Sequence, residues 1–261
     1  MRESYKNYGI SKKLSVVIDY MRQTIRRYSS RPVSESLLQS LLEEAARAQT
    51  MGNLQLYSVV VTRDAEMKQQ LAPFHFNQPM VTNAPVVLTF CADYHRTTEW
   101  ALQRKGHPGY GNILSYQNAA TDALLFCQRF CDLAESLGLG MCFLGTTVYK
   151  PLEIIRLLRL PKLVMPVATL TLGWPDEHPA PTDRLPATAY VHQETYAPVT
   201  PETIDRDFAA REALPENQEF VRINHTETLA QIFTDIRYSA ADCEAFSAEL
   251  LQALRRQGFL E

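Results

Sequence analysis

The residues best suited to chemistry form a basic turn, RQTIRRY, at positions 22–28. Apolar residues recur at helical spacing over residues 14–25, and this pattern predicts a helix that runs into the turn. Arg22 and Arg26 are four residues apart and would share one face of that helix. Two guanidinium groups with amide and hydroxyl donors between them suit a phosphate, which accepts forked hydrogen bonds. Taken alone, the cluster is more typical of a solvated helix end that contacts its own terminal carbonyls.

The sequence does not match the common nucleotide-binding and metal-binding motifs. Gly140 and Gly145 have the spacing of a phosphate-binding P-loop, but Thr146 stands where that loop requires Lys. GHPGYG at 106–111 does not join a strand to a helix, as a dinucleotide fingerprint must. The cysteines form no CxxC pair and the histidines are scattered, so we expect no metal site. A hydrolase triad has no support, because the sequence lacks a GxSxG turn.

Charge and composition narrow the class of protein. The 261 residues include 29 acidic and 26 basic side chains, a net charge of −3 that favours no nucleic-acid partner. The longest apolar runs, 85–92 and 164–172, fall far below the roughly 20 residues that cross a bilayer, so we expect no membrane insertion. Five cysteines, an odd number, and a polar N-terminus without a signal-peptide core predict a reduced, cytoplasmic protein.

Helical patterns and buried strands alternate along most of the chain. Ser34, flanked by Val33 and Leu38, has the pattern of an N-cap with a hydrophobic staple, and the helix that it begins is predicted to end near Gln49. Gly138 closes a long helix between the second and third strands. The predicted strands are Leu56–Thr62, Val86–Ala92 and Val164–Trp174, and the other predicted helices are Ala65–Leu71, Ala119–Leu137 and a short one beginning near Pro151. Helices covering a central sheet, of class α/β or α+β, are expected.

The pattern changes towards the C-terminus. Polar residues punctuated by prolines, 196–217, precede two predicted helices, Thr226–Ile236 and Ala240–Arg256. We therefore expect a domain of residues 1–196 and a helical C-terminal extension of residues 197–261.

Four blocks in the same order resemble the nitroreductase family of FMN-dependent oxidoreductases. Residues 22–57 are similar to the family's opening, in which an arginine-rich turn precedes a helix and a polar N-x-Q turn. Residues 77–93 resemble the second block, 134–145 the glycine-bearing turn from helix to strand, and 170–186 the closing block. The resemblance covers about residues 18–196. It implies a three-layer α+β fold with a central mixed, mainly antiparallel sheet flanked by helices.

The resemblance also implies an FMN cofactor, with NADH or NADPH as co-substrate. The residues implied to bind the phosphate and part of the ring are Arg22, Gln23, Thr24 and Arg26. Arg184 would add a second phosphate-binding arginine from late in the chain. Thr182 stands where some members carry Lys, so no preference for NADPH is implied.

Further contacts implied by the resemblance surround the flavin ring. Leu144, Gly145 and Thr146 would lie against it, where a glycine permits close approach of the backbone. Gln78 would be an additional polar contact. Asn53 and Gln55, the N-x-Q turn, would reach the flavin from the partner subunit of a homodimer.

The activity implied is hydride transfer from NAD(P)H to FMN, followed by ping-pong reduction of an electron-poor small molecule such as a nitroaromatic or a quinone. No side chain is assigned a catalytic role, because flavin N5 carries the chemistry. Two alternatives remain: a flavin-binding or flavin-sequestering protein without efficient turnover, and a specialised reductive dehalogenase. Residues 95–116, with aromatic and basic side chains, are read either as a lid over the flavin or as a surface that packs on the partner.

Replacement of either phosphate-binding arginine tests this site. Arg22→Ala or Arg184→Ala should weaken FMN binding by about 1.5–3 kcal/mol, the contribution of one charge-assisted hydrogen bond. Fluorescence titration of FMN measures the change. Unchanged FMN retention in both variants would mean that the phosphate site lies elsewhere.

Overall fold

A computed structural model of the protein describes residues 22–260. Its sheet contains the strands β1 (Tyr57–Thr62), β2 (Val86–Asp93), β3 (Gly140–Leu144) and β4 (Val164–Gly173), in the spatial order β1-β2-β4-β3. All three strand pairings are antiparallel, and an isolated bridge between Thr24 and Met141 is parallel. Within the described chain, β1 and β3 are therefore the two edges of the sheet.

Six α-helices belong to the described part of the chain that surrounds this sheet. They are α1 (Glu35–Ala45), α2 (Ala65–Leu71), α3 (Pro79–Asn83), α4 (His95–Gln103), α5 (Ile113–Ser136) and α6 (Pro151–Leu157). Short 3-10 turns, at Met51–Asn53, Ala72–His75 and Gly145–Val148, connect several of these elements. Two of the turns contain residues implicated in cofactor binding.

Both faces of the sheet are covered, because successive side chains of a strand point to opposite faces. On one face, Phe90 of β2 packs against Phe126 and Phe130 of α5, with ring centroids 5.8 and 6.1 Å apart. On the other face, Val87 belongs to a second buried cluster that includes Ile154 of α6. The three-layer α+β class is confirmed.

The described chain divides into two compact units. Unit 1 contains the sheet; it runs to Pro181 and resumes at Phe246. Unit 2 is Thr182–Ala245. The helices from unit 2 onward are α7 (Pro201–Glu212), α8 (Pro215–Ile223), α9 (Leu229–Gln231), a π-helical turn Ile232–Arg237 and α10 (Ala240–Gln257), and the 3-10 turn Ala187–Ala189 precedes them. The end of the chain belongs to unit 1, where Phe259 is completely buried. These limits differ from the division at residue 196, which stays a prediction about domains.

Several local predictions are confirmed. The Ser34 hydroxyl accepts a hydrogen bond from Leu37 N at 3.2 Å, and the flanking Val33 and Leu38 are both buried. Gly138 follows the long helix with a φ of +83°, the left-handed conformation that glycine adopts without strain. Two helix limits differ from the prediction. The first helix ends at Ala45 rather than near Gln49, and the long helix begins at Ile113 rather than at Ala119.

The helix predicted over residues 14–25 is wrong where the structure describes it. Residues 22–28 are not helical: they contain isolated β-bridges at Thr24 and Tyr28, and the earlier residues of that prediction lie outside the described chain. The physical reason is pairing with the sheet: Ile25 N donates to Met141 O at 3.0 Å.

Gly140 allows the segment of residues 22–28 to reach β3. A Cβ atom at Gly140 would lie 2.6 Å from Ile25 Cγ1, and the Ile25 side chain is buried. Gly140→Ala should therefore lower the free energy of unfolding by about 1–3 kcal/mol, the usual cost of overpacking. Urea denaturation measures the loss. Gly109→Ala is the matched control, since its Cβ would meet no atom within 4 Å; an equal loss in both variants would contradict the explanation.

Candidate functional site

The arginine segment lies along the β3 edge of the sheet. Its position is fixed by the bridge of Thr24 to Met141 and by the Tyr28 hydroxyl, which donates to Ile25 O at 2.8 Å. Arg22 Nη1 lies 3.5 Å from Thr24 Oγ1. The helical face that Arg22 and Arg26 were predicted to share is not formed, because residues 22–28 are not helical.

Charges around the two arginines differ. The Glu135 carboxylate lies 3.6 Å from Arg22 Nε and is buried. Burial raises the pKa of Glu135, and the charge of Arg22 opposes that rise. Glu177 instead accepts hydrogen bonds from the backbone N–H groups of Arg26 and Arg27, which lower its pKa. Within residues 22–260 no carboxylate forms an ion pair with the Arg26 guanidinium, which lies beside the Cys142 thiol.

The thiol of Cys142 lies beside the same arginines. Burial raises the pKa of this thiol, while the positive charges of Arg26 and Arg22 lower it in part. Cys142 is the residue after Met141 on β3, which places both guanidinium groups next to the first half of this strand. The first predicted group of cofactor contacts is therefore clustered in the structure.

A second group gathers where β3 ends. Thr146 Oγ1 lies 2.8 Å from His75 Nδ1, and Gln78 Nε2 donates to His75 O at 3.1 Å. Gly145 is exposed, and a Cβ built there would meet no atom within 4 Å. Leu144 is buried beneath this point. Gln78, Leu144, Gly145 and Thr146 thus surround one open stretch of backbone.

The two groups lie at opposite ends of one short strand. Thr24 contacts Met141, and Gly145 lies four residues further along the chain, a distance of about 13 Å at the rise of a β-strand. An elongated molecule with an anionic end and a flat, largely uncharged end could contact both groups at once.

Asn53 and Gln55 lie in a tightly held turn. Gly52, Asn53 and Gln55 all have left-handed φ angles, of 56°, 59° and 53°. The carboxylate of Asp122, only 1% exposed, accepts hydrogen bonds from Met51 N at 2.8 Å and Leu56 N at 3.1 Å. Asp122 therefore holds both ends of a backbone conformation that is costly for asparagine and glutamine.

This turn does not join the arginines within one chain. It precedes Tyr57 at the start of β1, whereas the arginines lie beside β3, at the other edge of the sheet. Tyr57 is at the level of Met165 and Met141 at the level of Leu172. Strand spacing and rise put the two places more than about 20 Å apart.

Arg184 belongs to unit 2. Its Nη1 donates to Thr182 Oγ1 at 2.7 Å and to Asp183 O at 2.8 Å. Its contact with a phosphate stays a prediction. The lid over residues 95–116 also stays a prediction, although the segment contains the regular helix α4 and the start of α5.

Four residues of these surroundings had no role in the sequence reasoning. They are His75, Asp122, Glu135 and Glu177, and each acts on a partner that is distant along the chain. His75 and Thr146, for example, are 71 residues apart. Among residues 22–260, no group of three or more His, Cys, Asp or Glu side chains could hold a metal ion, and no helix is long and apolar enough to cross a membrane.

The three-layer α+β fold places two groups of predicted cofactor contacts along one edge strand, an arrangement that fits a cofactor-binding protein. Comparison with known proteins identifies the family. The model of the nitroreductase family matches residues 20–174. The chain belongs to the nitroreductase family.

Individual relatives agree. An FMN reductase [NAD(P)H] of Bacillus subtilis is 35% identical over 180 residues, which cover 67% of this chain and 71% of the relative. An oxygen-insensitive NADPH nitroreductase of Salmonella typhimurium is 29% identical over 70% of this chain and 75% of its own. A crystal structure of an oxidoreductase from Bacteroides fragilis superimposes with a TM-score of 0.92 at 53% identity, covering 95% of this chain and all of the other.

The two hydrogen bonds by which Asp122 clamps the backbone at Met51 and Leu56 can be tested by Asp122→Asn. The amide retains only one oxygen, so either Met51 N or Leu56 N would lose its acceptor, and the free energy of unfolding should fall by about 2–4 kcal/mol. Hydrogen exchange should accelerate at those two amides. Asp132→Asn, on the exposed side of the same helix, is the control and should change stability by less than about 0.5 kcal/mol. Similar effects of the two substitutions would refute the clamp.

Proposed function

We propose that this protein is an FMN-dependent NAD(P)H oxidoreductase that reduces electron-poor acceptors, such as nitroaromatics or quinones, by a ping-pong mechanism. The observation that carries the proposal is the pairing, along β3, of an arginine cluster with the open backbone at Gly145. The two relatives named as an FMN reductase and an NADPH nitroreductase support the same chemistry.

The residues present fit FMN. A phosphate needs cationic donors, which Arg22 and Arg26 provide, and no carboxylate of residues 22–260 forms an ion pair with the Arg26 guanidinium. A flat ring needs a surface that it can approach closely, and Gly145 offers one because no atom occupies the space on its Cβ side. Gln23 and Thr24 would complete the phosphate site, and Gln78, Leu144 and Thr146 the ring site.

The residues of this chain would bind and orient the cofactor. When bound, FMN would supply the hydride-transfer chemistry between NAD(P)H and a second substrate. The arginines neutralise the phosphate and fix its position, while Glu177 holds the backbone of Arg26 and Arg27 in place. Gly145 leaves one side of the site open, so the nicotinamide and the acceptor would occupy it in turn.

The protein is proposed to act as a homodimer with the flavin site at the subunit interface. Asn53 and Gln55 are more than about 20 Å from the arginines of their own chain by the geometry of the sheet. A partner subunit related by two-fold symmetry would bring its own copy of this turn to the site, and the reverse contact would follow from the same symmetry.

Flavin binding and turnover test the function. The purified protein should be yellow, or become so with FMN, and should oxidise NADH or NADPH faster when a quinone or nitroaromatic is added. Parallel double-reciprocal plots would support the ping-pong order. A protein that binds FMN but shows no stimulation by any acceptor would instead be a flavin carrier, and a colourless protein would end the flavin proposal.

Complementation tests the shared site. An Arg22→Ala/Arg26→Ala variant and an Asn53→Ala/Gln55→Ala variant should each be inactive or nearly so. After mixing with exchange of subunits, heterodimers contain one intact and one doubly altered site, so roughly a quarter of wild-type activity should return in a symmetric dimer. If all contacts came from one chain, mixing would restore nothing.

A further inference from the structure

His75 connects two of the proposed cofactor contacts. It ends the 3-10 turn Ala72–His75 and is completely buried. Its imidazole Nδ1 lies 2.8 Å from the Thr146 hydroxyl, and its backbone oxygen accepts a hydrogen bond from the side chain of Gln78. One residue therefore fixes side chains from two separate segments of the site.

The backbone after His75 is shaped for this contact. Phe76 and Asn77 both have left-handed φ angles, 55° and 52°, although neither is glycine. These two residues reverse the chain, so that Gln78 returns to the carbonyl of His75. Strained backbone of this kind persists only where the surrounding contacts hold it, and such places cluster at functional sites.

The imidazole is neutral, because burial lowers the pKa of His75 to about 4. Its Nε2 is buried and has no hydrogen-bond partner among the described residues. An unpaired buried N–H is rarer than an unpaired buried acceptor, which favours the tautomer with the proton on Nδ1. In that tautomer His75 Nδ1–H donates to Thr146 Oγ1, and the Thr146 hydroxyl keeps its own proton for a second partner.

We propose that His75 is a positioning residue that orients the Thr146 hydroxyl as a hydrogen-bond donor to the flavin ring. Thr146 follows the open backbone of Gly145 and is only half-buried, so its hydroxyl borders the space that the ring would occupy. A hydrogen-bond donor at that place would stabilise negative charge on the ring. This inference rests on the proposed function.

FMN titration of the flavin-free protein tests the coupling of the two residues. His75→Leu and Thr146→Val should each weaken FMN binding by roughly 3- to 10-fold, the effect of one hydrogen bond. The double variant should bind no more weakly than the weaker single variant, because both substitutions remove the same interaction. Losses that multiply would overturn the proposal.

Two conservative variants separate positioning from general damage to the fold. His75→Asn places an amide donor near the position of Nδ1, and Thr146→Ser keeps the hydroxyl, so both should bind FMN within about twofold of wild type. His75→Leu and Thr146→Val should shift the flavin absorption band in the same direction, and the two conservative variants should not. If His75→Asn binds as poorly as His75→Leu, the positioning role is refuted. Failure of the wild-type protein to bind FMN would refute the proposed function as well, whereas normal binding with multiplying losses would refute His75 alone.

Discussion

The packing of Ile25 against Gly140 determines where the arginines lie. A side chain on residue 140 would occupy the space of Ile25, so this glycine allows the segment to pair with Met141. Tyr28 anchors the other end, since its ring lies against Gly173 at a point where a Cβ would be 2.7 Å away. The position of the arginine segment thus depends on two glycines of the sheet, Gly140 and Gly173.

The site also depends on polar groups that are buried and therefore fixed. A buried carboxylate at Asp122 and a buried imidazole at His75 each join elements that are far apart in sequence. Hydrogen bonds in such surroundings are strong, and leaving a partner unsatisfied is costly, so these groups restrict their turns to one conformation. The cofactor chemistry proposed here needs little from ionising side chains but much from rigid placement.

Local signals explain what could be predicted from the sequence. Ser34, Gly138 and the apolar run of β2 specify structure through their own neighbours, and the structure agrees. The segment at residues 22–28 was mispredicted because its conformation comes from Met141, more than a hundred residues later. Helix α7 was not predicted, although Thr200 as an N-cap followed by proline is a typical helix start. The polar composition of the surrounding residues is instead typical of an irregular stretch. The ordered motifs identified most proposed cofactor contacts, whereas the residues that support them are invisible without the fold.

The position of the arginine segment has a consequence for solubility. Within the described chain β3 is an edge strand, and exposed edges offer unpaired N–H and C=O groups to the sheets of other molecules. Residues 24 and 25 occupy part of that edge, and the neighbouring guanidinium groups discourage close approach by a second sheet. The same few residues would therefore reduce edge-to-edge aggregation. A substitution that releases them would expose the unpaired N–H and C=O groups of β3 to other molecules.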